Sequence, residues 1–262
     1  MAIAHKSVIS FGLVAIPVSL YTATQDNDIR FNQLHTKDHE RIRYKKICGH
    51  CGEEIKSDEI VKGYEYEKGQ YVVVSDEEFE RIKTEKDKSI QILHFAQLNQ
   101  ISPVYYNKAY QVVPEKGGEK AFELLRKALM DEQKIAIGKT VLGTKENLMA
   151  IIPREECLLI ATMFYDDDIK EIPKSYKKPE IEEGELAMAT TLINSMDTPF
   201  NPEEYTDEYQ IKLRQLIENK IAGKEVVGAE PESVGNVINL MDALKASIDN
   251  AKNKPSKKAK EA

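Results

Sequence analysis

The chain has 262 residues and a formal net charge of −7, with 41 % apolar and 31 % charged residues. That balance is ordinary for a globular protein able to bury a core, and the sequence has no apolar run of the roughly 18–20 residues that a spanning helix needs. Three cysteines give no disulfide framework, and the start MAIAHKSVISF lacks the pattern of a secretory leader, so a reducing, cytoplasmic setting with no membrane is expected.

In chain order, SVISFGLVAIPVSLYTA reads as β-structure in one run, with Gly12 permitting close backbone approach and Pro17 limited to an edge, bulge or bend. DIRFNQLH alternates apolar Ile29 and Phe31 with polar Arg30 and Asn32, and RIRYKKI alternates apolar with basic residues. The second places Arg41, Arg43 and Lys45 on one face of a predicted strand. EIVKGYEYEKGQYVVVS predicts a hairpin turning at Lys68-Gly69. Ser75 and Glu78 predict the capping box of a helix over DEEFERIKTE. QILHFAQLNQISPVYYNKAYQVVP adds strand broken at Ser102-Pro103, and Phe122, Leu125 and Leu129 stripe an amphipathic helix. KIAIGKTVLG and NLMAIIPREECLLIATMFY return to strand, with Cys157 expected as a buried small hydrophobe. Many short strands with Gly and Pro punctuation predict a barrel or sandwich.

The last third reads as helical. Leu186, Ala189, Ile193 and Met196 form one stripe, and Asn201-Pro202-Glu203-Glu204 reads as the start of a helix carrying Tyr209, Leu213 and Leu216. Val237, Met241, Leu244 and Ile248 mark another amphipathic helix over 233–249. The tail 251–262, with five Lys against one Glu, cannot order itself.

The charge is unevenly spread. Residues 1–50 carry seven Lys/Arg against four Asp/Glu, and the remainder is acidic. A local cluster of cations, not a basic average, is what a phosphate-binding channel needs. Glycine-rich nucleotide loops, zinc-protease and serine-hydrolase motifs are absent from the sequence. Asp166–Asp168 reads as a solvated loop rather than a metal site. Cys48-x2-Cys51 has zinc-knuckle spacing, and His35, His39 or His50 can complete a ligand set, with His35-x3-His39-x8-Cys48-x2-Cys51 as the geometry sought. Redox chemistry at CGHC would need a helix N-terminus that this context does not offer.

SVISFGLVAIPVSLYTAT, DIRFNQLH, RIRYKKICGHCG, EIVKGYEYEKGQYVVVSDEE, FELLRKAL, KTVLGTKENLMAII and NPEEYTDEYQIKLRQLI together resemble the bacterial Ku proteins of non-homologous end joining, in order over residues 1 to 220. The resemblance implies a mainly β fold: a Ku-like β-barrel core with a DNA-encircling bridge, and a helical C-terminal arm. It divides the chain into a core over 1–180 with the bridge at about 28–65, a helical arm over 181–222, a linker and ligase-docking helix over 223–250, and a disordered Lys-rich tail over 251–262. It implies no catalysis and no required cofactor, with structural zinc left open. The implied partners are double-stranded DNA ends, a second copy of the chain and a bacterial ATP-dependent DNA ligase, all at the nucleoid. Arg30, Lys37, Arg41, Arg43, Lys45 and Lys46 become the candidate phosphate contacts, and Val237, Met241, Leu244 and Ile248 the candidate ligase surface. The rival expectation is a zinc-stabilised nucleic-acid or protein-interaction module without end specificity, with candidate ligands His35, His39, Cys48 and Cys51.

Overall fold

The structure, a computed structural model, describes residues 2–82, 89–142, 145–173 and 176–224. The chain divides into two compact units, residues 1–27 with 31–172, and residues 28–30 with 173–262.

The first unit is built on a closed seven-stranded barrel. Strands β1 (His5–Phe11) and β2 (Val14–Thr22) form a hairpin. The expected single run therefore turns at Gly12-Leu13. Gly12 supplies a positive φ of 59° for that turn, and no neighbour approaches it. Pro17 lies one residue before the ladder from β2 to its other neighbour begins at Val18, so its missing N–H costs no sheet hydrogen bond on that side. Further along the chain come β3 (Lys62–Glu67) and β4 (Gln70–Val74), which form a separate hairpin, and then β5 (Ile90–Ala96), β6 (Tyr106–Pro114), β7 (Ile135–Leu142), β8 (Lys145–Pro153) and β9 (Leu158–Met163). The order around the barrel is β1-β2-β6-β9-β8-β7-β5, closed by a parallel pair in which Ile9 faces Ile90 and Ser10 faces Gln91.

Alternation along the strands decides the packing. Met149 and Ile151 of β8, Leu158 and Ile160 of β9 and Ala136 of β7 join one cluster with Ile9, Val18, Ile90 and Val112, so all seven strands contribute to it and it is the barrel interior. Their neighbours Ile135, Ile137, Ala150 and Ile152 form a second cluster on the outer face. Helix α2 (Glu119–Asp131) sends Phe122, Leu125 and Leu129 into the interior cluster and packs on β2 and β8, strands that are not adjacent in the barrel. Arg126 on the same helix is buried. It grips Glu123 with two hydrogen bonds of 2.8 and 2.7 Å and donates to the Arg154 carbonyl at 2.7 Å, tying α2 to the β8–β9 turn. Gly138 is required by proximity, since a Cβ there would lie 2.6 Å from the Gln91 carbonyl oxygen where β5 bulges against β7.

Other expectations are corrected by backbone pairing. The run NLMAIIPREECLLIATMFY is two strands, because residues 154–157 turn between them. Cys157 is half-buried at that turn rather than fully inside. Asp166–Asp168 form a 3-10 turn in which Asp166 accepts from the Tyr105 hydroxyl at 2.8 Å and Asp168 lies 3.6 Å from Lys145 Nζ. The Lys68-Gly69 turn forms as expected, with Gly69 at φ 79°. So does the Ser75–Glu78 capping box, which opens the short helix α1 (Asp76–Arg81).

The second unit holds α3 (Glu183–Met196) and α4 (Glu208–Ile221). Asn201 caps only a single 3-10 turn, Pro202–Glu204. The helix bearing Tyr209, Leu213 and Leu216 starts afresh from Asp207, whose carboxylate accepts from the Gln210 N–H at 2.9 Å. The separate start follows from Tyr205, which leaves the turn in extended conformation. Residues 28–30 join this unit through Gln210 Nε2, which donates to Asp28 at 3.3 Å. No helix among the described residues is long and apolar enough to cross a membrane. The segments 233–249 and 251–262 lie outside the described residues.

Candidate nucleic-acid interface

Residues 31–61 leave the barrel without joining its sheet. The two alternating runs expected as strands do not become them. Residues 28–33 pair with nothing in a ladder, and RIRYKKI has only the isolated bridges Leu34–Arg41 and Ile47–Glu54 at its ends. Alternation places side chains, but a strand also needs a neighbour for its N–H and C=O groups, and the described residues offer none here.

What the segment offers instead is accessible charge. Lys37, Arg41, Arg43 and Lys46 are exposed and, among the described residues, engage no carboxylate. Lys45 differs: its Nζ sits 2.7 Å from Glu54 Oε2. Tyr44, Lys45, Lys46, Glu54, Ile55, Lys56 and Ser57 line an open groove of about 590 Å³ with three ammonium groups and one carboxylate. Cations without carboxylate partners can be handed to phosphates at little desolvation cost, and such contacts hold a backbone without reading bases. Arg30 belongs to the second unit.

The cysteines sit on a tight turn. The Cys48 N–H donates to the Glu53 carbonyl and the Gly52 N–H to the Cys48 carbonyl, both at 2.9 Å. The N–H groups of Cys51 and His50, with the Cys51 thiol, point at the Cys48 sulfur and hold its thiol below the ordinary range. Cys51 Sγ approaches Glu53 Oε2 at 3.7 Å. His35 Nδ1 lies 3.0 Å from Asp38 Oδ2. The Asp38 carboxyl is held below its usual range by the Glu40 N–H and then by His35. Among the described residues no three His, Cys, Asp or Glu side chains are gathered as a metal cluster, so His35, His39, Cys48 and Cys51 are not brought to one point. Val237, Met241, Leu244 and Ile248 fall outside the described residues.

The arm is also rich in uncovered apolar surface, which residue-type patterning alone did not reveal in full. Tyr44 is 80 % exposed and Phe31 and Tyr64 are each 68 % exposed, and Ile47, Tyr66 and Tyr71 are likewise open. Neither face of the β3–β4 hairpin contains a buried residue.

Residues 10–188 match the family model described as the Ku70/Ku80 beta-barrel domain. The chain is 71 % identical over 249 residues to a protein of Lachnoclostridium phytofermentans named "Non-homologous end joining protein Ku", covering 95 % of this chain and 97 % of that one. Proteins of the same name from Archaeoglobus fulgidus and Bacillus subtilis are 44 % and 40 % identical. They cover 94 % and 93 % of this chain, and 98 % and 80 % of their own lengths.

Proposed function

The chain belongs to the Ku family, and from that premise we propose that it binds the ends of double-stranded DNA without regard to sequence, as a ring-shaped homodimer, in non-homologous end joining. As a family member it is a DNA-binding factor of double-strand-break repair, not a catalyst. The observation that carries the reading is the set Lys37, Arg41, Arg43 and Lys46, exposed and without carboxylate partners among the described residues, on a segment that belongs to no core. In this reading residues 28–65 are the bridge. Its cations face the phosphates of a threaded duplex, and a closed ring selects ends by topology, because a duplex enters it only where it stops. Lys45 gives up Glu54 to join them, and Arg30 is a further candidate phosphate contact.

The homodimer follows from the surface that one chain leaves open. Phe31, Tyr44, Ile47, Tyr64, Tyr66 and Tyr71 are exposed among the described residues, and exposed apolar surface of that extent marks an interface. An obligate interface of this kind buries roughly 2,000 Å² or more. Val237, Met241, Leu244 and Ile248 are assigned to docking of an ATP-dependent DNA ligase, and the Lys tail 251–262 to auxiliary phosphate contact at the nucleoid.

The test is competition in a gel shift between linear DNA and a covalently closed circle of the same sequence. The linear form should compete and the closed circle should not; equal competition overturns end recognition. Sedimentation at low micromolar concentration should show a dimer, and a stable folded monomer overturns the ring. With protein saturating the DNA, deletion from residue 230 should abolish stimulation of the ligase and deletion of 251–262 should not. Full stimulation by the longer deletion overturns the docking assignment.

A further inference from the structure

Residues 33–42 and 46–55 are two copies of one backbone turn, thirteen residues apart. In the first, the His35 N–H donates to the Glu40 carbonyl at 2.9 Å, the His39 N–H to the His35 carbonyl at 2.8 Å and the Ile42 N–H to the Gln33 carbonyl at 3.1 Å. In the second, the Cys48 N–H donates to the Glu53 carbonyl at 2.9 Å, the Gly52 N–H to the Cys48 carbonyl at 2.9 Å and the Ile55 N–H to the Lys46 carbonyl at 2.8 Å. The isolated bridges repeat the same offset, Leu34 with Arg41 and Ile47 with Glu54. So does the left-handed residue, His39 at φ 56° and Gly52 at φ 75°. The superposition of roles pairs His35 with Cys48, Asp38 with Cys51, and His39 with Gly52.

That equivalence identifies which side chains the turn presents. In the second copy the first and fourth residues are Cys48 and Cys51, a Cys-x2-Cys pair of the kind that binds zinc from a turn. In the first copy the first and fourth residues, His35 and Asp38, meet, Nδ1 to Oδ2 at 3.0 Å. Each turn thus presents a pair of donors that zinc accepts. His39 is not one of them, because it stands where the other turn has glycine.

We propose that the two turns are the halves of one tetrahedral zinc site, with His35, Asp38, Cys48 and Cys51 as its ligands. The described side chains form two pairs rather than one cluster, and the ion is what joins them. Only residues 43–45 separate the copies and none of them lies in a strand. Bending there brings the pairs together while every hydrogen bond within each turn is kept. On binding, both thiols release their protons to solvent and the imidazole and carboxylate enter as they are, leaving the site with one net negative charge. A Cys₄ site shared between two copies would leave the duplication of the turn at 33–42 without a purpose, so closure within one chain is the form the repeat favours. The site lies within the arm that carries Arg41 and Arg43. It stands or falls apart from the DNA-binding reading, because its readout is the metal.

The experiment is titration of the full chain, reduced and stripped by chelator, with Co(II) and then Zn(II), with elemental analysis of the zinc-loaded protein. One metal per chain is expected, with the intense visible absorption of tetrahedral Co(II) carrying two thiolates. His35→Ala, Asp38→Ala and Cys48→Ser should each weaken zinc binding by about tenfold or more, and Asp38→Cys should tighten it, since thiolate is the better zinc donor. His39→Gly should leave affinity unchanged. Three results overturn the proposal. One is no metal uptake at micromolar zinc. A second is one metal per two chains with affinity indifferent to His35 and Asp38, which would make it a thiolate site between copies. The third is weakened binding on replacing His39 with none on replacing Asp38.

Discussion

The barrel strands are richer in apolar residues than the arm, yet both carry large apolar side chains and use them in opposite ways. In the barrel, Ile9, Leu20, Ile90, Met149, Ile151, Leu158 and Ile160 are fully buried in a shell closed on itself. In the arm, Phe31, Tyr44, Ile47, Tyr64 and Tyr71 are all open. Among the described residues the hydrophobic term that folds the barrel is left unsatisfied in the arm. Large apolar side chains alone therefore do not mark a core, whereas closure of the hydrogen-bond ladder around them does.

The contrast can be broken most forcefully in the barrel. Ile151→Ala should lower unfolding free energy by about 3 kcal/mol, because the cavity it leaves is walled by strands on both sides. Chemical denaturation measures it, and a drop like that of a surface residue would mean the barrel interior is not the folding core. Arg126→Ala should lower stability by less than Ile151→Ala, by removing the hydrogen bonds to the Arg154 carbonyl and to Glu123. It should also alter the acid limb. The Glu123 carboxyl is held below its usual range, first by Arg126, so its contribution is present above the unfolded carboxylate range and is lost as pH falls through the folded value. The variant should show a flatter decline of stability in acid.

In the arm, Arg41→Glu with Arg43→Glu should move thermal stability little. The pair should weaken binding to blunt and overhanging duplexes alike, with the salt slope shallower by about 0.9 for each phosphate no longer neutralised. A change of preference among end sequences with the slope intact would assign these residues to base reading. The smallest effect belongs to His39→Gly, which relieves a left-handed non-glycine residue and should stabilise by about 0.5 kcal/mol. A destabilised variant would mean the His39 side chain makes an interaction that matters more than its backbone.

Much of this was legible in the sequence where the signal was local. The Ser75–Glu78 box, the Lys68-Gly69 turn and the Phe122, Leu125, Leu129 stripe all appear as read, since caps, tight turns and helix faces are decided within a few residues. The family was legible too, through motifs spread along the chain, and with it the barrel. What failed depended on partners the sequence does not name. RIRYKKI alternates like a strand but, among the described residues, pairs only through isolated bridges at its ends. SVISFGLVAIPVSLYTA reads as a β-rich run, and its turn at Gly12 is set by the pairing of its two halves. The Asn201 cap opens one turn and stops, leaving the helix to Asp207. The repeat at 33–42 and 46–55 was hidden for a different reason. It is written in backbone hydrogen bonds, and its donors change type from His and Asp to Cys and Cys.

The barrel's closing seam has a consequence for how the chain reaches its native state. Ile9 meets Ile90 and Ser10 meets Gln91 in a two-residue parallel ladder, and everything between the hairpin β1–β2 and β5 is the arm and its flanks. Sealing the barrel therefore requires the polymer to close a long loop before a short ladder offsets the entropy, whereas β7 and β8 pair as near neighbours in sequence. A nascent chain should consolidate the β7–β8–β9 meander early and join β1 to β5 late. Throughout that interval the edges of β1 and β5 are unpaired, and this seam is where a slowly folding molecule is exposed to mispairing with another.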